Sequence, residues 1–456
     1  MRLAMNSDVA AMLNIPIVIA AYNRGNTLTR LLSSLAKAYY PAPVKLIISI
    51  DGGGSDSVKK IAEEFDWQHG QKEIIAHPEN LGLRRHILSC GDLSSQYDGI
   101  ILLEDDLFVS PRFYQYTLAA LQFYKECPEI CGLSLYSYQY NETALFPFKP
   151  LNDGSDAYFM QLPCSWGQTW LKEHWAGFSS WYADNSAASF QDDSSLPANI
   201  AFWPDTSWKK YFLKYMVETN KFFVYPHLSH TTNFGDKGQH HQGTNVFQVP
   251  LASGDSGDYC FKPFADCLVK YDFFCELLPD CLKSLSGETL PAELSVDLYG
   301  SKRPENLTGE YVLTSKQCRS YQESFGRQMT PQEMNIINRI EGADLFLARK
   351  DQLEECGDIH QYIYGKASSE AAQRYYFGTD DVHHARLHDV ESRLEQAERV
   401  IGSNRDLLTY SQQTETQLRD CQTKVAALHS SLSWRITKPL RKLGDWLRAL
   451  GGRRKS

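Results

Sequence analysis

The chain has 456 residues, with 46 lysines and arginines against 55 aspartates and glutamates and a formal net charge of −9. At 43% hydrophobic and 22% charged residues it has the composition of a folded globular protein, which excludes a mainly disordered or fibrous chain, and its length holds two or three domains. The acidic balance argues against a nucleic-acid protein in bulk, and no run of 18 apolar residues marks a membrane-spanning helix.

The first predicted element is Ile15–Ala21, an apolar run with the length of a buried strand. Asp8 precedes it, and no basic n-region or small-residue cleavage site frames it, so it is not read as a signal peptide. Strand and helix signals then alternate with short connections. Thr27–Ala38 reads as a helix, Val44–Ile50 as a strand, Ser57–Phe65 as a helix and Glu73–Ala76 as a strand. Leu83–Leu93 follows as a helix, Gly99–Leu103 as a strand, Pro111–Glu126 as a helix and Ile130–Tyr136 as a strand. Continuous apolar strands such as Leu46-Ile-Ile-Ser-Ile suit an α/β fold, a mostly parallel sheet with helices on both faces. In such sheets ligands gather at the carboxyl ends of the strands. That rule points to Ala21–Arg24, Asp51–Gly54 and Glu104–Asp106.

Residues 138–250 are richer in aromatics, with helices expected at Trp170–Phe178 and Trp208–Glu218, and a catalytic domain is drawn over 12–250. Residues 251–380 form an accessory domain of unknown role, in which a helical four-cysteine segment precedes strands at Ala292–Tyr299 and Glu310–Thr314. The eleven cysteines include no C-x-x-C pair, and Cys260, Cys267, Cys275 and Cys281 match no zinc-binding spacing. They read as reduced thiols of a reducing compartment. Over 385–432, Leu387, Val390, Leu394, Ala397 and Ile401 recur at three-four spacing, which weakens around Asn404–Gln417 and resumes at Leu418, Cys421, Val425, Leu428 and Leu432. That is a coiled-coil seam, or the buried face of a long helix packed on its own domain. From Ser431 to Ser456 eight basic residues oppose one acid, leaving −16 for residues 1–430. With Trp434 and Trp446 beside these charges, 433–456 reads as a basic amphipathic helix on an anionic membrane surface; a solvated basic tail or a helix docked on a partner is the plain alternative.

The acidic triplet Glu104-Asp105-Asp106 ends an apolar strand, where carboxylates can hold a hard divalent cation shared with substrate phosphates; a solvated turn capping the next helix is the plain alternative. Asp51-Gly-Gly-Gly-Ser-Asp offers an acid to a base or ribose and glycines that let backbone approach a ligand; a tight βα turn has the same pattern. Arg84 and Arg85 start a helix, where the dipole already favours phosphate, so that Arg84 or Arg85 reads as a diphosphate contact, with a surface arginine as the plain alternative.

In this order the residues resemble glycosyltransferases of the A-type fold. Ile15-Pro-Ile-Val-Ile-Ala-Ala-Tyr-Asn-Arg24 is similar to their opening strand and nucleotide loop, and Asp51 to the acid that contacts uracil or ribose. Leu103-Glu-Asp-Asp106 with the following Leu-Phe-Val-Ser-Pro-Arg-Phe-Tyr is nearest to the N-acetylglucosaminyltransferase I family of the eukaryotic Golgi. Pro163-Cys-Ser-Trp-Gly-Gln-Thr-Trp170 resembles its acceptor-side segment, and Phe202-Trp-Pro-Asp205 its catalytic-base segment. Tyr225–His240 resembles the loop that closes over bound nucleotide sugar, although His230 stands where the family has arginine. The tail Ser431–Arg441 is similar to a segment at the C-terminus of many bacterial surface-polysaccharide glycosyltransferases.

The resemblance implies an inverting, Mn²⁺- or Mg²⁺-dependent transferase acting on a nucleotide-diphosphate sugar, with UDP-N-acetylglucosamine favoured. Asp205 is then the base and Asp106 the metal ligand, while Ala21, Tyr22, Arg24, Asp51, Arg84, Glu104 and Asp105 hold the donor. Trp166, Asn233, Gly235 and His240 belong to the acceptor side or lid. The implied setting is bacterial surface polysaccharide synthesis. The enzyme is expected to be a homo-oligomer through the coiled coil, on the cytoplasmic face of the inner membrane. The rival readings are a sugar nucleotidyltransferase, whose Gly-rich basic phosphate loop is poorly matched by Ala21-Tyr-Asn-Arg-Gly-Asn, and a membrane-tethered, non-catalytic scaffold on a transferase fold.

Overall fold

The computed structural model describes residues 2–3, 13–190, 193–236, 245–254, 257–287, 290–369 and 381–431, with Arg435, Thr437, Arg441, Lys442 and Asp445 beyond them. The chain divides into two compact units, Met1–Ala372 and Gln373–Ser456.

The first unit opens with the strand–helix alternation expected from its sequence: β1 (Ile17–Ala21), α1 (Gly25–Ala36), β2 (Leu46–Ile50), α2 (Asp56–Glu64), β3 (Lys72–Ala76), α3 (Gly82–Asp92) and β4 (Gly99–Glu104). Every residue of β1 and β2 is buried, as is β4 up to Leu103. Successive strand residues point to opposite faces, so burial of all of them means that both faces are covered. Each fully buried Ile or Leu contributes roughly 1.5–3 kcal/mol, and these runs form the core. β1 pairs in parallel with β2 and with β4, and β2 in parallel with β3.

Past β4 and the helix α4 (Phe113–Tyr124) the sheet becomes mixed. The next strand in space is β8 (Gln168–Leu171), antiparallel both to β4 and to β6 (Ile130–Ser134). Then come β9 (Phe222–Pro226), β7 (Ala157–Met160) and β11 (Lys270–Tyr271), completing nine strands in the order β11-β7-β9-β6-β8-β4-β1-β2-β3. A two-stranded antiparallel ribbon of β5 (Leu107–Val109) and β10 (Thr231–Asn233) sets Asn233 opposite Leu107. The mostly parallel α/β sheet is the fold class expected from the sequence.

Two local expectations are corrected. The helix predicted over Trp170–Phe178 begins only at Lys172, as α5 (Lys172–Asn185). Trp170 belongs instead to β8, where it is wholly buried and packs on Trp175, Trp208 and Phe212. Insertion between two strands overrode a helical spacing that the same aromatics suggest. The four-cysteine segment is not one helix: Cys260 lies in a two-residue strand, Cys275 sits in a turn at φ +61°, and only Cys281 is helical, in α7 (Pro279–Ser286). Helix α6 (Trp208–Glu218) has the predicted bounds. All eleven cysteines are free thiols.

A second sheet, β12 (Leu294–Asp297), β13 (Tyr311–Thr314), β15 (Leu345–Arg349) and β14 (Glu323–Phe325) in that spatial order, completes the first unit. A buried ion pair, Lys316–Asp297 at 3.0 Å, and a partly buried one, Lys302–Asp272 at 2.5 Å, fasten it. Breaking one partner of such a pair leaves a buried charge uncompensated, a cost of about 3–5 kcal/mol.

The second unit contains α8 (Asp381–Ser430), a 50-residue helix with Leu394, Ile401, Leu408, Leu418, Val425 and Leu428 exposed. The basic amphipathic tail expected over 433–456 lies, apart from the five residues named above, outside the described residues. Among the described residues no helix is long and apolar enough to cross a membrane.

Candidate active site

A cleft of about 760 Å³ opens at the carboxyl ends of β1, β2 and β4, within the size range of small-molecule sites. One wall is charged. Tyr22, Asn23 and Arg24 follow β1, Asp51 follows β2, and Glu104, Asp105 and Asp106 close β4; all of them line it. Arg24 occupies the N-cap position of α1 without capping it. Its guanidinium is spent instead as a fork across the carboxylates, on Asp105 and, at 2.8 Å, on Asp106 Oδ2. Burial first, then the charge of Asp106, push the Glu104 carboxyl up to about 8, and burial lifts Asp105 to about 6 against the pull of Arg24. Three acids around one guanidinium leave the wall short of positive charge.

A divalent cation meets that shortage, and the atoms present fit one. Asp106 Oδ1 is buried and has no hydrogen-bond partner, an acceptor left without a donor. Among the described residues no three His, Cys, Asp or Glu side chains form a ready-made metal cage. Mg²⁺-type sites commonly rely on one or two carboxylates and complete their shell with substrate phosphate and water.

Asp51 is buried, and its carboxylate accepts from the backbone N–H groups of Gly52, Leu81 and Gly82 at 2.9, 2.7 and 3.1 Å. It therefore organises the start of α3 while facing the cleft. The glycines after it serve loop packing: a Cβ at Gly52 would stand 2.3 Å from the Glu79 carbonyl carbon, and one at Gly54 would stand 2.1 Å from Tyr22 O. His86, on the cleft side of α3, lies 2.8 Å from Ser49 Oγ, and burial pushes its imidazole down to about 4.

The opposite wall is aromatic. Trp166, Trp203, Trp208 and Phe247 line it, joined by two charged side chains that sequence reasoning missed, Glu142 and Lys209. Lys209 Nζ donates to Tyr138 Oη at 2.9 Å and lies 5.6 and 5.1 Å from the Trp166 and Trp203 rings, cation–π distances. Lys210, one residue on, donates to the carbonyls of Ala201 and Trp203 at 2.8 and 2.9 Å and so holds the loop before α6. Nothing in the local pattern around Asn141-Glu142-Thr143 signals a site; only the fold carries it there.

Between the walls, Arg30 pairs with Asp236, donates to Asp106 O at 3.3 Å and stacks on Phe234 at 3.9 Å. This contact and the β5–β10 ribbon hold Asn233, Gly235 and Asp236 against the acidic cluster. The rest of the expected lid, including His240, lies outside the described residues. His230 is buried, stacked on Tyr116 at 4.3 Å and 2.9 Å from Ser110 Oγ; burial pushes it down to about 3, so it carries no charge toward a phosphate.

Two expected site residues stand apart. Arg84 lies over the Tyr211 ring at 4.9 Å and is not among the lining residues. Asp205 is exposed in the loop between Trp203 and Ser207, both of which line the cleft while Asp205 does not.

Residues 17–155, which contain the charged wall, match the model of glycosyl transferase family 2. No curated protein matches the chain. Solved structures with similarity include the mannosyltransferase PcManGT from Pyrobaculum calidifontis in complex with GDP-Man and Mn²⁺, at 8% identity and TM-score 0.27 over 36% of this chain and 46% of that one. S. aureus TarS 1–349 in complex with UDP-GlcNAc aligns at 12% identity and TM-score 0.33, over 50% and 60% of the two chains. GalNAc-T7 with UDP, GalNAc and Mn²⁺ aligns at 12% identity and TM-score 0.34, over 54% and 46%. The chain thus covers 46–60% of the length of these structures. The β1–β4 half of the sheet, with the acids at its strand ends, is part of a glycosyltransferase domain.

Proposed function

We propose that this protein is an inverting, divalent-metal-dependent glycosyltransferase that takes a sugar from a nucleotide-diphosphate donor, with UDP-N-acetylglucosamine favoured, and places it on a glycan acceptor. The observation that carries the reading is the convergence of Arg24, Asp51 and Glu104-Asp105-Asp106 on one cleft, with Asp106 Oδ1 buried and unpartnered.

Asp106 would hold the cation through that oxygen, and Arg24 keeps Asp105 and Asp106 oriented toward it. A bound divalent metal neutralises the charge that develops on the leaving diphosphate. Asp51 and Tyr22 border the space for the nucleoside. The segment from Asn233 to Asp236 lies beside the donor space and limits access of water, whose attack is the competing reaction. On the far wall the acceptor hydroxyl attacks the anomeric carbon from the face opposite the diphosphate, and a carboxylate takes its proton. The kinship to N-acetylglucosaminyltransferase I, the role in bacterial surface polysaccharide synthesis, the membrane-surface tail and self-association through α8 belong to the same proposal and rest on the sequence resemblances.

The test is a donor screen. Purified protein with Mn²⁺ is mixed with UDP-, GDP- and dTDP-sugars, released nucleotide is read, and the assay is repeated with EDTA. Metal-dependent release from one donor supports the proposal and names the donor. No release, with no thermal shift from any nucleotide, refutes it in favour of a scaffold.

A further inference from the structure

We propose that Glu142 is the proton acceptor of the transfer reaction, with Lys209 as its positioning residue; this rests on the transferase reading above. The argument begins with the carboxylates that line the cleft among the described residues: Asp51, Glu104, Asp105, Asp106, Asp236 and Glu142. Asp51 is engaged by three backbone N–H groups. Asp105 and Asp106 share the Arg24 fork, with Glu104 beside them, and Asp236 is paired with Arg30. These five belong to the donor wall or to the segment held against it. Glu142 alone stands on the aromatic wall, beside Trp166 and Trp203, where no metal ligand competes for the carboxylate.

Its position is rigid. Asn141, wholly buried, accepts from the N–H groups of Thr143 and Ala144 at 3.0 Å and donates to Phe274 O at 3.0 Å. Tyr140 and Asn141 pair with Phe146 and Pro147, so Glu142 rides on a short pinned turn. Lys209 Nζ, anchored on Tyr138 Oη, lies 4.0 Å from Glu142 Oε1. The Glu142 side chain keeps 30% of its surface exposed, toward the cleft it lines. Asp205 has neither the lining position nor a comparable anchor.

In the step, the acceptor oxygen forms a bond to the anomeric carbon as the bond from that carbon to the diphosphate oxygen breaks. The bonding pair leaves with the diphosphate, and the hydroxyl proton passes to a Glu142 carboxylate oxygen.

Chemical rescue tests this in the full-length chain with UDP-N-acetylglucosamine and Mn²⁺. Glu142→Gln is expected to slow UDP release into water by about 10²–10⁴-fold, the range for a general base, while donor affinity by calorimetry stays within about twofold. Sodium azide, an anion that needs no deprotonation, is expected to restore UDP release in that variant and to yield the glycosyl azide by mass spectrometry. A merely structural defect gives no such rescue. Glu142→Gln turning over within threefold of wild type overturns the assignment. So does failure of azide to restore release while the donor still binds, or loss and azide rescue in Asp205→Asn instead. A wild-type chain that releases nucleotide from no donor overturns the transferase reading itself, and is told apart because the variants then have nothing to lose.

Discussion

The two walls of the cleft are built by different means. On the charged wall, each chemical group sits within a few residues of the end of a buried parallel strand: Arg24 after β1, Asp51 after β2, Asp105 and Asp106 after β4. The aromatic wall draws on the turn at Glu142, the loop at Trp166, the loop and helix start from Trp203 to Lys209, and Phe247. The first is charged and short of cations; the second is aromatic, with one ion pair. The difference teaches that a parallel sheet offers a fixed place for charged groups, because the carboxyl ends of its parallel strands open on the same edge. The aromatic surface has no such template and is assembled from segments far apart in the chain.

The largest break of the comparison is Asp106→Ala. Removing the acid with the unpartnered oxygen should cut metal-dependent UDP release by at least about 10³-fold and abolish Mn²⁺ binding by calorimetry, with the unfolding midpoint nearly unchanged. Turnover close to wild type in this variant removes the metal assignment. Trp203→Ala should act on the other wall only. Loss of its face lowers kcat/KM for an acceptor by about 10–100-fold, equivalent to roughly 1.4–2.8 kcal/mol, and leaves the donor Kd in place. A donor Kd that moves as much as the acceptor term shows that the walls are not separable.

Acid should also loosen the molecule. Burial depresses His86 and His174 to about 4 and His230 to about 3, so these groups are neutral in the fold. Between the unfolded value near 6.5 and those lowered values the unfolded chain binds more protons. Their contribution to stability is therefore complete above about pH 6.5 and is lost as pH falls from there toward 3. Chemical denaturation at pH 7 and pH 5 measures the loss, and His230→Asn should shrink it; an unchanged pH slope in that variant speaks against the buried neutral imidazole. The smallest effect is expected from Arg84→Ala. It gives up a cation–π contact with Tyr211 worth about 0.5–1 kcal/mol and leaves donor affinity where it was. A tenfold weaker donor Kd would return Arg84 to the phosphate.

The charged wall was legible in the sequence because its determinants are local. An apolar run long enough for a strand, followed at once by an acid or arginine, places that group at a strand end, and Asp51, Asp105 and Asp106 were found this way. Arg84 shows where such reasoning stops: a helix start favours anions, but the side chain turned to the Tyr211 ring on α6, a contact between segments more than a hundred residues apart. Trp170 was misplaced because a tryptophan spacing that suits a helix also suits a strand inserted between two others. Glu142 left no sequence signal, since a glutamate in a polar turn is an ordinary surface residue until a buried asparagine and a lysine from another helix fix it over a cleft.

By itself, then, the sequence determined the α/β class, the succession of β1–β4 along the chain and the acids at their ends, because hydrophobic period is enough to locate buried strands; that β4 pairs with β1 was left to the tertiary structure. The tertiary structure alone decided which side chains share the cleft: it spent Arg24 on the carboxylates, turned Arg84 away, left Asp205 exposed and brought in Glu142 and Lys209. The physical reason is that pairing and desolvation depend on distances between segments remote in the chain, and no local pattern encodes those distances.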